Sequence, residues 1–301
     1  MRHVTARTLP ARTTALAALL WLALLSVNTF AANHTVPLSD LARRTHFHGI
    51  SVHPDAHSRI YLATHHGLFT VDARGLATRV SQGTDDFMGF TPHPVRREVL
   101  YASGHPARGG NLGFITSSDA GHTWRQLSPG LNGPVDFHQM DVSKADPDVI
   151  YGAFRELQVS RDGGKSWRAT GPLPAELIDL AASAVHPDRI YAATRSGLLY
   201  SSDTGASWQP AHLRRSPTTL VQTGYEEDVY AFIVGVGLVR TREPGLRWEL
   251  VNAGLGDRYL LHLAVDPNEP RRLYAVTNEP AVIESVDGGG QWVPLGAKTS
   301  Q

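Results

Sequence analysis

The sequence predicts an all-β protein, a six-bladed β-propeller with four short antiparallel strands in each blade. Three recurrences point to it. A box of eight residues ending in tryptophan occurs five times: SSDAGHTW to Trp124, SRDGGKSW to Trp167, SSDTGASW to Trp208, TREPGLRW to Trp248 and SVDGGGQW to Trp292. The spacings are 43, 41, 40 and 44 residues. An apolar strand carrying a tyrosine recurs six times, at Tyr61, Tyr101, Tyr151, Tyr191, Tyr230 and Tyr274. Before most of these lies a second strand that ends in a proline turn, at Pro54, Pro94, Pro147, Pro187 and Pro267. Each unit therefore reads strand, turn, Tyr-strand, link, strand, box, Trp-strand, and four strands in about 40–50 residues make a propeller blade.

In chain order, the first 31 residues read as a secretory leader. Arg2, Arg7 and Arg12 form a basic start, Thr14 to Val27 an apolar run, and Thr29 and Ala31 suit a signal-peptidase site. The expectation is export to a bacterial periplasm or the medium, with no membrane attachment after cleavage. Residues 32–301 are then a single propeller domain and a monomer, with residues 33–45 closing the ring against the last blade. The whole chain carries 28 basic and 28 acidic residues, and losing three leader arginines leaves a net charge of −3. That balance argues against a nucleic-acid partner. The absence of cysteine excludes disulfides and thiolate metal sites.

The box makes sense as a hairpin tip. Asp119, Asp162, Asp203 and Asp287 can accept backbone N–H bonds inside the turn, and the glycine two residues on supplies a positive φ. The tryptophan then packs beneath the turn. In the first unit the box has decayed to VDARGLAT, which keeps Asp72 and Gly75 without a tryptophan.

These boxes resemble the Asp-box, or BNR, repeat of sialidases, sortilin-type receptor domains, xyloglucanase-type glycoside hydrolases and photosystem assembly factors. The resemblance covers roughly residues 46–292 and implies the propeller; it does not by itself imply an activity. A sialidase-like site would need three arginines on a carboxylate, a tyrosine nucleophile with a glutamate partner, and an aspartic acid. Arg155 and Arg195 stand at matching places, four residues after their tyrosines, but the other blades carry His65, His105, Val234 and Asn278 there. The Arg-Ile-Pro segment of that family is absent. A general glycosidase needs two carboxylates about 5–10 Å apart. Asp85, Asp86, Asp136 and Glu156 are candidates, with no pair singled out.

Histidine is the outlier of the composition, at 15 residues, roughly twice the usual share. Thirteen residues before the tyrosine, the first three blades place His48, Met88 and His138, each after a phenylalanine. Four residues after it they place His65, His105 and Arg155. Counted from the turn, these are equidistant, so His48 should face His65, Met88 should face His105, and His138 should face Arg155. Alternation adds His46 and Met140 to the same faces, with His66 alongside. The expected metal ligands are therefore His46, His48, His65, His66, Met88, His105, His138 and Met140, with Asp86, Asp136 and Arg155 orienting the imidazoles from behind. Imidazole and thioether without thiolate suit copper. His262, offset by one residue, is expected to face the other way. His53, His93 and His186 read as turn residues, His57 and His212 as loop residues, and His122 as exposed in its box.

The function expected is an exported propeller that binds copper or another transition metal, or a small ligand, at one rim of its channel, with enzyme activity left open. The alternatives are a sialidase-like glycoside hydrolase and an assembly propeller that binds another exported protein. The basic stretches at Arg214-Arg215 and Arg271-Arg272 are the only hints of a partner face.

Overall fold

The computed structural model describes residues 35–297, and the expected leader, residues 1–31, lies outside them. Six blades of contiguous sequence follow one another, each a four-stranded antiparallel sheet. The inner strands are Phe47–Val52, Asp86–Pro92, Gln139–Val142, Leu177–Ala182, Thr218–Thr223 and Leu260–Val265. Each packs against the next, and the last against the first, so the ring is closed. Their side chains line a central channel, with Ile50, Phe90, Met140, Leu180, Gln222 and His262 each from a different blade. Among the described residues no helix is long and apolar enough to cross a membrane.

The core is not one mass but six apolar clusters, one at each junction between blades. Five of them pair the tyrosine of one blade with the box tryptophan of the next: Tyr61 with Trp124, Tyr101 with Trp167, Tyr151 with Trp208, Tyr191 with Trp248 and Tyr230 with Trp292. The sixth joins Tyr274 to the first blade, which lacks a box tryptophan. There Leu38 and Leu41 of the short helix Leu38–Ala42 are buried beside Phe69, Val71 and Leu295. Two leucines thus occupy the junction that an aromatic ring fills elsewhere. Residues 35–37 do not pair with the last blade: they add a fifth strand to the outer edge of the first, Val36 opposite Ala77. The ring closes through buried side chains, while the leading strand takes the nearest open edge.

The boxes fold as turn locks. In the second blade Asp119 accepts from the Thr123 N–H at 2.9 Å, Ser117 Oγ accepts from the Gly121 N–H at 2.8 Å, and the Trp124 indole donates to the Gly121 carbonyl at 2.9 Å. Gly121 has φ +92°, a left-handed conformation that glycine adopts without a Cβ clash. In the fifth blade Glu243 stands where the other boxes have aspartate, and its side chain is buried. It accepts from Ser183 Oγ at 2.7 Å and Tyr191 Oη at 2.9 Å, with Arg189 at 3.4 Å, so it ties its blade to the fourth.

The inner hairpins depart from simple counting. In the first, Phe47 pairs with Thr64 and Gly49 with Ala63, leaving His48 as a bulge residue. The second slips between Met88 and Thr91, and the fourth, fifth and sixth slip near Asp179, Leu220 and His262. An extra residue bends and twists the strand and changes which side chains meet beyond it. Asp86, not Met88, therefore lies opposite His105, and Met88 lies opposite Ser103.

Candidate metal centre

The bulges and the blade junctions together build two groups of like composition. Each has two imidazoles and one carboxylate whose donor atoms lie within 4.8 Å of one another: His48, His65 and Asp86, and His105, Asp136 and His138. The first straddles blades one and two, the second blades two and three. His48 comes from the bulge of an inner strand, His105 ends its Tyr-strand, and His65 immediately follows its own. Asp86 opens an inner strand, and Asp136 and His138 just precede one.

In the first group His48 Nε2 lies 3.1 Å from the His65 ring nitrogens, His65 Nδ1 is 2.6 Å from Asp86 Oδ2, and His48 Nε2 is 3.6 Å from Asp86 Oδ1. In the second, one oxygen of Asp136 faces both imidazoles, at 2.9 Å from His105 Nε2 and 2.7 Å from His138 Nε2. The other oxygen of each carboxylate, Asp86 Oδ1 and Asp136 Oδ1, is buried with no hydrogen-bond partner. A buried carboxylate oxygen left unpaired is costly, because it has lost water without gaining a donor. A cation would satisfy it.

The electrostatics differ between the groups. Burial pushes His48 down to about 4 despite the Asp86 carboxylate, and charge on His65, His262 and His46 lowers it further. His48 is thus a neutral imidazole, ready to donate a lone pair, at any pH near 7. His138 is raised, first by its hydrogen bond to Asp136 and then by the charges of Asp136 and Asp86.

The remaining expected ligands are placed differently. His46 and His66 are exposed and flank His65, with ring centres 5.5 and 6.5 Å from it. Met140 is buried in the apolar cluster of the second junction, opposite Gly152 on the neighbouring strand. The carboxylates expected behind the imidazoles are instead the third donors beside them. A signal for this lies in the sequence: Asp86 and Asp136 stand at the same place in DFM and DFH as His46 does in HFH. Arg155 does not face His138. It forms a one-residue turn at φ +62° between Phe154 and Glu156, exposed. His262 does not face away: its strand slips just before it, so it lines the channel with His48 and its Nε2 meets the Phe47 carbonyl at 3.2 Å. Burial lowers His262 to about 4. His53 and His93 cap their turns by accepting backbone N–H bonds, as does His212 in its loop.

The BNR/Asp-box repeat family matches residues 158–169, the box of the third blade. The protein is a six-bladed β-propeller similar to the Asp-box repeat proteins. No curated protein sequence matches this propeller. Among solved structures it is similar to the GH74 xyloglucanase of Xanthomonas campestris, at 21% identity and TM-score 0.57 over 83% of this chain and 45% of that one. It is also similar to an extracellular domain from B. thetaiotaomicron, at 12% identity and TM-score 0.54 over 83% of this chain and 33% of that one. A chain in a nidogen–laminin complex matches at 9% identity and TM-score 0.57, over 78% of this chain and 91% of that one. The propeller spans less than half the length of the xyloglucanase, and at these identities the likeness is one of fold.

Proposed function

We propose that this propeller is a metal-binding protein, working after export, that holds a divalent transition-metal ion at each of its two His-His-Asp groups. The observation that carries the reading is the convergence of two imidazoles on one aspartate in each group, the aspartate keeping a second oxygen that is buried and unpartnered. Spacing supports it. Two nitrogens bound tetrahedrally at about 2.0 Å from one ion are roughly 3.3 Å apart, and His48 and His65 stand at 3.1 Å. Two imidazoles and a carboxylate leave at least one coordination position open, which suits handling of the ion or of a ligand upon it.

With carboxylates completing both groups, thioether sulfur no longer supports the choice of copper. Copper stays first because Cu2+ heads the affinity order of the divalent series at nitrogen and oxygen donors. The test is calorimetric titration of Cu2+ into the chain without its leader. Wild type should take two ions, and the Asp86→Asn/Asp136→Asn double variant should take none of comparable affinity. Equal binding by the two proteins ends the reading.

A further inference from the structure

Beside the second group lies a cleft of about 370 Å³ that the metal reading leaves unused. Asp136 and His138 stand at one side of it, Arg155 and Glu176 line it too, and Phe154, Leu173 and Leu177 supply an apolar wall. Resting on the metal reading, we propose that this cleft binds a small organic carboxylate, held between the open position of the ion and the Arg155 guanidinium with its apolar body on that wall.

Three features carry the inference. The first is Arg155 itself. Among the described residues it makes no ion pair, and it sits in a left-handed turn that a side-chain-bearing residue occupies only at a cost. The corresponding turns of the first and fourth blades instead reach a glycine, Gly67 and Gly197, opposite the last strand residue. The shorter turn carries an exposed Arg155 whose guanidinium lies over the Phe154 ring, 5.2 Å from its centroid, at the edge of the cleft. The second is size and lining. A few hundred cubic ångströms with one apolar wall and few polar groups matches sites for small molecules, and guanidinium matches a carboxylate in a two-pronged bond.

The third is charge, which makes the two ligands depend on each other. Without metal the cleft sets Arg155 and the His138 imidazole against the carboxylates of Asp136 and Glu176, with Arg195 4.0 Å from Glu176, so its charges nearly balance. An anion gains little there. A divalent ion on Asp136 adds positive charge and an open coordination position, so the carboxylate binds the loaded protein more tightly than the bare one. Linkage then requires the carboxylate to raise metal affinity by the same factor.

The experiment titrates Cu2+ into the leaderless chain with and without saturating benzoate, using benzyl alcohol as the uncharged control. The Asp86→Asn variant isolates the second group, and Arg155→Gln is made in that background. The expected result is a copper affinity about tenfold higher with benzoate, within the usual range of coupling between sites, no change with benzyl alcohol, and loss of the enhancement in Arg155→Gln. Copper binding without a benzoate effect overturns this inference and leaves the metal reading standing. An equal benzoate effect in Arg155→Gln also overturns it, since the anion would then sit on the ion alone. Failure of Asp86→Asn to bind copper overturns the second metal group and this inference with it.

Discussion

If each His-His-Asp group binds an ion only in the folded ring, metal must raise the melting temperature by an amount that follows from mass action. At a free concentration a thousand times Kd, one site adds about 4 kcal/mol to folding stability. The propeller has about 260 described residues, and unfolding entropy of about 2.1 cal/mol/K per residue gives roughly 0.55 kcal/mol/K for the whole. One site should therefore shift melting by about 7 °C and two by at most about 15 °C. The groups share no residue, but Asp86 of the first lies opposite His105 of the second, so two bound cations repel and the joint shift should fall short of the sum. Differential scanning calorimetry with and without Cu2+, repeated with Zn2+, measures this directly. Asp86→Asn and Asp136→Asn should each keep at least half the shift, and the double variant none. Comparing each variant with itself, loaded against bare, removes any change in its intrinsic stability. A wild-type shift under about 2 °C at that excess, or an equal shift in the double variant, refutes the reasoning.

Three further outcomes test the framework. Gly164→Ala should cost about 2–4 kcal/mol in urea unfolding, because the new Cβ would lie 2.0 Å from the buried Phe114 ring at φ +85°; a loss below 1 kcal/mol would show that the turn relaxes. Glu243→Ala should cost about 3–5 kcal/mol by stranding Arg189, Ser183 and Tyr191 in the core, and an effect no larger than that of a surface substitution would contradict the buried tie. Burial raises Asp179 to about 7 against the pull of the Val221 and Leu180 N–H groups, with Asp141 raising it further. The folded state then holds a proton that the unfolded state releases near pH 4, so this residue's contribution to stability falls as pH rises from about 4 to 7. Asp179→Asn should gain on wild type across that window in denaturant titrations, and a difference independent of pH would refute the assignment.

The sequence by itself determined the architecture of this protein. Box and tyrosine recur at a fixed interval, each blade is contiguous, and the same local pattern yields the same hairpins six times. It also marked the sector, since the histidines at 48, 65, 105 and 138 fall within the first three blades and all four enter the two groups. Which side chains meet there was decided by tertiary structure. A strand bulge is one residue of unpaired backbone with no side-chain signature, and one residue reverses the face of everything beyond it. That slip sets Asp86 opposite His105 in place of Met88 and brings His262 into the channel. Met140 lies in the junction core and Arg155 turns toward a cleft of its own. The junctions then bring aspartates of one blade against imidazoles of the blade before. Spacing along the chain cannot register that contact, because the two halves of each group meet only when neighbouring blades pack.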